Sequence, residues 1–339
     1  MGTYVIRRTL FAIPTLLAIS LIIFAILDLA PGDPTSALPL TLPDELKEAI
    51  RESLGVNDPF IIKWLKWLQL MFINEPLNAI DSIFGTCIGD CESRARIISW
   101  SSRSPAVDVI YQRIPQTLWV LGLAFIFGTL IAIPVGVISA YKQYSAFDNI
   151  GTFVTMVGYS VPTFFTGLLA IVIFSVWLGW FPSFYDTTHV VDWTDWDSVW
   201  YQIEQMIMPV TVLTLFNAAA LSRFTRASVL DNLNEDYVRT ARSKGLGENK
   251  VITRHVMRNS MIPVVTLIAL SIPGIFAGAI ITEQIFRING LGALLITAIG
   301  QGDVPMVQTL TFIFAFLIVI FNLIADITYG LLDPRIRYD

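Results

Sequence analysis

The residue types that carry most enzyme chemistry are scarce in this sequence and poorly placed for catalysis. The two histidines, His189 and His255, fall outside the apolar segments, so neither lies where a serine or zinc hydrolase within a membrane would need it. The H-E-x-x-H pattern of zinc proteases and the G-x-x-x-x-G-K-[ST] pattern of phosphate-binding loops are both absent from the sequence. We therefore expect no catalytic site, no bound cofactor and no ATP hydrolysis by this chain itself.

Two cysteines, Cys87 and Cys91, form a C-x-x-x-C pattern in a stretch that the topology below places outside the membrane. No histidine lies nearby to complete a zinc site, so we expect no metal. An exported loop allows oxidation, and Gly89 lets a small ring close. A disulfide between the two cysteines is favoured over two free thiols, and both alternatives stay open.

Carboxylates inside membrane helices are typical of ion-driven carriers. The candidates here are Asp28, Glu283 and Asp326, and all three fall near the ends of predicted helices. Their position disfavours a proton or sodium relay, although a stand-alone ion-coupled carrier stays an alternative. A membrane enzyme is a third class, but the apolar segments contain no pairing of a nucleophile with a base.

The composition predicts an all-α polytopic membrane protein. Of the 339 residues, 54% are hydrophobic and only 14% charged, and the mean hydropathy is +0.64. The net charge of -5 argues against nucleic acid as a partner. Runs long enough to cross the bilayer predict six transmembrane helices, at residues 9–29, 115–140, 150–179, 207–230, 260–282 and 307–332.

The distribution of Lys and Arg predicts the orientation of these helices. The segment from Arg223 to Arg258 holds eight of them and the loop from Phe181 to Ile207 none, so the basic segment is expected in the cytoplasm, together with both termini. Residues 1–29 then form the N-terminus and first helix. Residues 30–114 form an external region with amphipathic helices, and residues 115–339 form a five-helix core.

Aromatic residues mark two outer segments. In the external region the stretch 61–72 predicts an amphipathic helix, and we assign its Trp64 and Trp67 to the membrane interface. The acidic, tryptophan-rich loop 187–200 is open to two interpretations. It is either a contact for a cation or a binding protein or, as we favour, a solvated loop whose tryptophans rest on the interface.

Glycine and proline cluster within two predicted spans, at Gly158, Pro162 and Gly167 in the third and at Pro273, Gly274 and Gly278 in the fifth. Helix breaks of this kind are tolerated where a water-lined path satisfies the freed backbone groups. Small residues also allow close helix packing, and the sequence favours neither interpretation.

A basic segment, residues 234–263, interrupts this apolar chain and predicts two short helices joined by a glycine elbow. Asn234 is placed to cap the first helix and Gly245 to end it. The second helix is expected to begin near Gly247 or Glu248 and to end before Pro263 opens the next span. Val238, Ala241 and Leu246 offer an apolar contact surface among basic residues.

This segment resembles the cytoplasmic EAA-type loop of the membrane subunits of binding-protein-dependent ABC importers, in their peptide and nickel branch. Further signatures of that branch are LAPGDP from Leu29, GYSVPTFFTG from Gly158, TEQIF from Thr282 and YGLLDPRIR from Tyr329. Arg239 and Thr240 stand where the general EAA pattern has Glu and Ala, as is typical of the peptide branch. Asn289 replaces the usual proline before GLG, and the cysteine-bearing stretch looks like an insertion.

The resemblance implies the type I ABC importer permease fold and an import function in the cell membrane. The expected partners are a second similar permease, two cytoplasmic ATPase subunits that bind ATP and Mg, and an external solute-binding protein. The resemblance also implies transport of short peptides, with oligosaccharides or nickel complexes as alternatives. No residue in the sequence indicates where the substrate binds. The loop would then couple the ATPase subunits to transport through Tyr237, Arg239, Thr240, Ala241, Arg242, Gly245 and Leu246.

Within that loop, Ala241 and Gly245 are expected to allow close approach to the ATPase, while Arg239 and Arg242 reach carboxylates at the rim of its groove. The alternative is a polybasic loop that only follows the positive-inside rule and touches anionic lipid.

Overall fold

The computed structural model describes residues 2–29, 58–89, 94–277 and 279–332, together with positions 43, 45, 46 and 48, and the described part is helical with loops. Within these residues three short π-helical stretches join neighbouring helices without a break, at Leu70–Asn74, Leu118–Gly122 and Val251–Val256, and a fourth, Ile171–Trp177, extends the helix that precedes it. The helices are α1 Gly2–Asp28, α2 Phe60–Gln69, α3 Glu75–Phe84, α4 Ala106–Thr117, α5 Leu123–Tyr141, α6 Ala146–Ser160, α7 Thr163–Ala170, α8 Trp196–Leu233, α9 Asp236–Ser243, α10 Glu248–Lys250, α11 Met257–Ala277, α12 Ile280–Phe286, α13 Leu291–Gly300 and α14 Val304–Leu332.

Five of the six predicted spans are observed as single helical runs that are long and apolar enough to cross a membrane. Within the described residues these are Ile6–Asp28, Ala106–Tyr141, Trp196–Leu233, Glu248–Ile275 and Val304–Ile327. The prediction of a single spanning helix over residues 150–179 holds only as a broken one, and the predicted break falls at Pro162. There α6 and the run Thr163–Trp177 meet at an angle of 100° and make a sixth span only if counted together.

The bend between α6 and α7 has a local cause. Val161 adopts an extended conformation, with φ -83° and ψ 125°, because the ring of Pro162 disfavours helical geometry in the residue before it. Pro162 also lacks the N–H that would continue the helical hydrogen bonds. The chain therefore restarts as a new helix at Thr163.

The unit that contains residues 116–290 is built around close packing of α5 on α8. Ala124, Gly128, Ala132, Gly136 and Ala140 recur at every fourth position of α5, and all five are buried. A Cβ atom added at Gly136 would lie 2.7 Å from both the backbone oxygen of Ser222 and Cβ of Thr225. Small residues at this spacing let two helices approach backbone to backbone.

The second unit contains residues 7–115 and 291–319 and has its own apolar core. Trp67, assigned above to the membrane interface, is 6% exposed in this core and packs edge-on against Phe312. The interface assignment is therefore wrong for Trp67. Trp64 is partly buried against the same core and its indole donates to the hydroxyl of Ser20, and its assignment to the interface stays a prediction. The predicted helix of residues 61–72 is confirmed: it is formed by α2 and the π-helical stretch Leu70–Asn74 that continues it.

Charged groups form an ion-pair cluster in this second unit. Arg96 donates to Glu75 at 2.8 Å and to Asp108 at 2.7 Å, and Glu75 is 5% exposed. Cys87 is disulfide-bonded, whereas Cys91 lies outside the described residues, so the pairing of these two cysteines stays a prediction. The predicted helix that begins at Pro43 also falls largely outside the described residues.

The acidic outer loop is held by side-chain hydrogen bonds. Thr188 donates its hydroxyl and its backbone N–H to Asp186, which lowers the pKa of that carboxyl below its usual range. Trp193 packs on Trp119 with the ring centroids 5.8 Å apart, while Trp196 is 70% exposed. The exposed indole of Trp196 is consistent with a position at the membrane interface. The preference for a solvated loop over a contact for a cation or a binding protein stays a prediction.

Candidate functional site

The basic segment has the predicted shape of a short helix, an elbow and a second helix, with two corrections. Glu235, and not Asn234, occupies the capping position of α9, because Asn234 still belongs to the end of α8. Gly245 has φ +77°, a left-handed conformation that side-chain-bearing residues rarely adopt, so the predicted elbow is confirmed. Pro263 lies inside α11, and the second helix therefore continues into the following span without interruption.

The inner face of α9 is packed against its own chain. Val238 is fully buried and Ala241 is 5% exposed, in a cluster with Ala140 of α5, Val229 of α8 and Val251. Ala241 is therefore covered by its own chain and not offered to a partner, and its predicted part in the coupling to an ATPase stays a prediction. Its small side chain lets α9 lie close to the ends of three longer helices.

Hydrogen bonds extend this packing across three elements. The hydroxyl of Tyr237 donates to Asn232 at 2.7 Å, and the amide of Asn232 donates to the backbone oxygen of Ser228. The hydroxyl of Ser228 in turn donates to the backbone oxygen of Ser260 on α11 at 2.8 Å. Both apolar contacts and hydrogen bonds therefore connect α9 to α8 and α11.

The outer face of α9 is polar and accessible. The side chain of Arg239 is 72% exposed, and its contact with Asp236 is 3.5 Å long. Arg242 is 42% exposed and donates to Glu248 at 2.6 Å, a hydrogen bond that raises the pKa of its guanidinium. Thr240 and Gly245 are also exposed. Among the predicted site residues, Arg239, Thr240, Arg242 and Gly245 thus share the outer surface, whereas Tyr237 and Leu246 pack against the inner cluster.

An ion pair that sequence reasoning missed lies at the same end of the helices. Asp148, near the start of α6, is 3% exposed and accepts two hydrogen bonds from Arg226 of α8, at 2.7 and 2.8 Å. It also accepts the backbone N–H of Tyr144 in the turn that joins α5 to α6. The partners are 78 residues apart, so no local sequence pattern indicates the pair.

We expect the single variant Asp148→Asn to lower the free energy of unfolding by about 3 kcal/mol, because it leaves Arg226 without its carboxylate partner. The double variant Asp148→Asn/Arg226→Gln is expected to recover part of this loss. Thermal unfolding of the detergent-purified proteins measures both effects. Parental stability in both the Asp148→Asn and the Arg226→Gln single variants would contradict a stabilising role for the pair.

A cavity of about 910 Å³ lies in the unit of residues 116–290, between the two predicted helix breaks. Its lining includes Ser160 and Pro162 at the bend, Gly274 near the end of α11, and the polar groups of Asn217 and Ser271. A Cβ atom at Gly274 would meet nothing within 4 Å. The break residues Pro162 and Gly274 therefore border open space.

Gly158 and Gly167, two further break residues, lie against neighbouring side chains, whereas Gly278 lies outside the described residues. A Cβ atom at Gly158 would lie 3.5 Å from Ala219, and one at Gly167 would lie 3.3 Å from the ring of Phe286. Close packing is thus observed at Gly158 and Gly167, while a water-lined path at Pro162 and Gly274 stays a prediction. Glu283, one of the candidate carboxylates, is fully buried in α12, with the backbone of Gly290 against its carboxylate.

Family models match nearly the whole chain. Residues 132–338 match the model described as "Binding-protein-dependent transport system inner membrane component". Residues 1–121 match a second model, "Binding-prot-dependent transport system membrane comp, N-term".

Individual relatives are similar over their full length. The chain is 39% identical to the oligopeptide transport system permease protein AppB of Bacillus subtilis, over 100% of both chains. It is 33% identical to the glutathione transport system permease protein GsiC of Escherichia coli, again over 100% of both chains.

Proposed function

The chain belongs to the family of binding-protein-dependent transport system inner membrane components, and from this premise we propose that it forms half of the translocation path of an ATP-driven importer of short peptides. The relatives named for oligopeptides and for glutathione support peptides as the substrate class. The proposed partners are a second, similar permease, two cytoplasmic ATPase subunits that bind ATP and Mg, and an external solute-binding protein. The proposed location is the cell membrane, with both termini in the cytoplasm.

The observation that carries the coupling role is the two-sided character of α9. One face is embedded among the ends of α5, α8 and α11, while the other offers Arg239, Thr240 and Arg242 to a partner. Guanidinium groups on an accessible helix suit carboxylates at the rim of a protein groove. An ATPase that moves this helix would therefore also move the helices it packs on. A loop that only contacted anionic lipid would not need the buried inner face.

The proposed path runs through the cavity beside the bend at Pro162. Both helix breaks border it, and α8 contributes a continuous wall that ends at α9. Helices with a break can change angle at a defined point, which suits a path that opens in turn to each side. The breaks and the coupling helix are thus placed on the same helical unit.

The proposal is tested by reconstituting the chain into vesicles with its partner permease, ATPase subunits and binding protein. We expect uptake of a labelled tripeptide that requires ATP and all the subunits. The control is the chain alone in vesicles with a proton or sodium gradient. Uptake by the chain alone would establish the ion-driven carrier instead, and no uptake of any peptide by the complete assembly would contradict the peptide importer.

A further inference from the structure

Arg223 is a cation that neither the coupling helix nor the Asp148 ion pair uses. It lies on α8, ten residues before the end of that helix, and its side chain is exposed. Its guanidinium carbon lies 5.7 Å from the centroid of the Tyr159 ring. Among the residues that the structure describes, no carboxylate forms an ion pair with Arg223. Arg226, one turn later, donates two hydrogen bonds to the carboxylate of Asp148.

The aromatic ring under Arg223 belongs to the cavity wall. Tyr159 lines the cavity, and its ring stacks on that of Phe216 with centroids 5.8 Å apart and an interplanar angle of 9°. Phe216 and the amide-bearing Asn217 line the same space. The guanidinium is therefore one ring away from the cavity, at the end of a long and flexible side chain.

This arrangement suits the recognition of a carboxylate. A cation within a membrane-spanning helix is typical of a substrate pathway. Arg223 does not itself line the cavity, but the Tyr159 ring on which it stacks does. A guanidinium forms two parallel hydrogen bonds to a carboxylate and can keep its stacking contact with an aromatic ring while it does so. Every peptide with a free C-terminus carries such a carboxylate.

We propose that Arg223 binds the carboxylate of the passing substrate at the Tyr159 side of the cavity and thereby favours peptides with a free C-terminus. The inference rests on the proposed function, since it assumes that peptides pass through this cavity. Tyr159 then acts as the platform that holds the guanidinium at the wall.

The test uses the complete assembly in vesicles and compares the uptake of trialanine with that of its C-terminal amide. The variant is Arg223→Gln, and Arg223→Lys keeps the charge. Arg287→Gln is the matched control, because Arg287 also stacks on an aromatic ring, 4.4 Å from the centroid of Phe184, but Phe184, unlike Tyr159, does not line the cavity. The same binding protein delivers the peptides in every preparation, so a changed ratio comes from the permease.

We expect Arg223→Gln to lower the ratio of acid to amide uptake about tenfold, the size of one lost charge-assisted hydrogen bond. Arg223→Lys should keep part of the preference, and Arg287→Gln should keep all of it. Equal loss of both peptides in Arg223→Gln would make Arg223 a structural residue and overturn the inference, as would an unchanged ratio. If the parent assembly imports neither peptide, the proposed function fails, and this inference fails with it.

Discussion

A Gly136→Val variant is expected not to accumulate as folded protein, because the contact of α5 with α8 leaves no room for a side chain there. The first added carbon would lie 2.7 Å from the backbone oxygen of Ser222 and 3.0 Å from the backbone nitrogen of Arg226. Backbone atoms cannot move aside without separating the two helices. Overpacking of this kind costs about 3 kcal/mol or more, which is a large part of a typical protein's stability.

The measurement is the yield of monodisperse protein after extraction from the membrane, together with its thermal midpoint. Gly122→Val is the matched control, since Gly122 precedes α5 on the same continuous helix and a Cβ atom there meets nothing within 4 Å. The control should be close to the parent in both respects. Parental yield and midpoint for Gly136→Val would show that α5 and α8 are not in backbone contact.

Ala241→Phe is expected to reduce ATP-dependent uptake by more than about tenfold while the protein still inserts and folds. A phenyl ring cannot fit among Val229, Val238 and Val251. It would therefore displace α9 from the helices it packs on, and the lost packing would lower the free energy of unfolding by about 1–3 kcal/mol. Because α9 is a short helix at one end of the unit, the spans themselves should stay intact. Uptake would fall because ATPase motion no longer reaches α8 and α11.

Ala241→Ser serves as the control, since it adds a single oxygen and keeps nearly the same volume. Co-purification of the ATPase subunits should be recorded in parallel with uptake. Parental uptake by Ala241→Phe would show that the packing of α9 on its own chain plays no part in transport.

The large features of the fold could be predicted from the sequence because each rests on local composition. Apolar runs predicted the spans, and Gly245 predicted the elbow because its left-handed conformation favours glycine. The 100° bend at Pro162 was noticed only as a break, since its angle depends on how α7 packs. The placement of Trp67 could not be predicted, because an amphipathic helix covers a protein core and a membrane interface with the same residues.

The candidate site was predictable as a segment but not in its orientation. The pattern of α9 indicated one apolar face, yet could not tell whether that face meets a partner or the chain's own helices. The Asp148–Arg226 pair was beyond sequence reasoning because it depends on the crossing of α6 and α8. The recurrence of small residues at every fourth position of α5 was a readable signal for close helix packing, and sequence reasoning missed it.

The central claim is that the outer face of α9 docks on an ATPase subunit. It is tested most directly by a photo-crosslinking amino acid at Ser243, an exposed position on that face, in the complete assembly within the membrane. A second preparation with the same group at Val190, in the outer loop and 85% exposed, is the control. The account predicts an adduct with the ATPase subunit from position 243 and none from position 190. Adducts of position 243 with lipid alone, in an assembly that transports peptide, would contradict it.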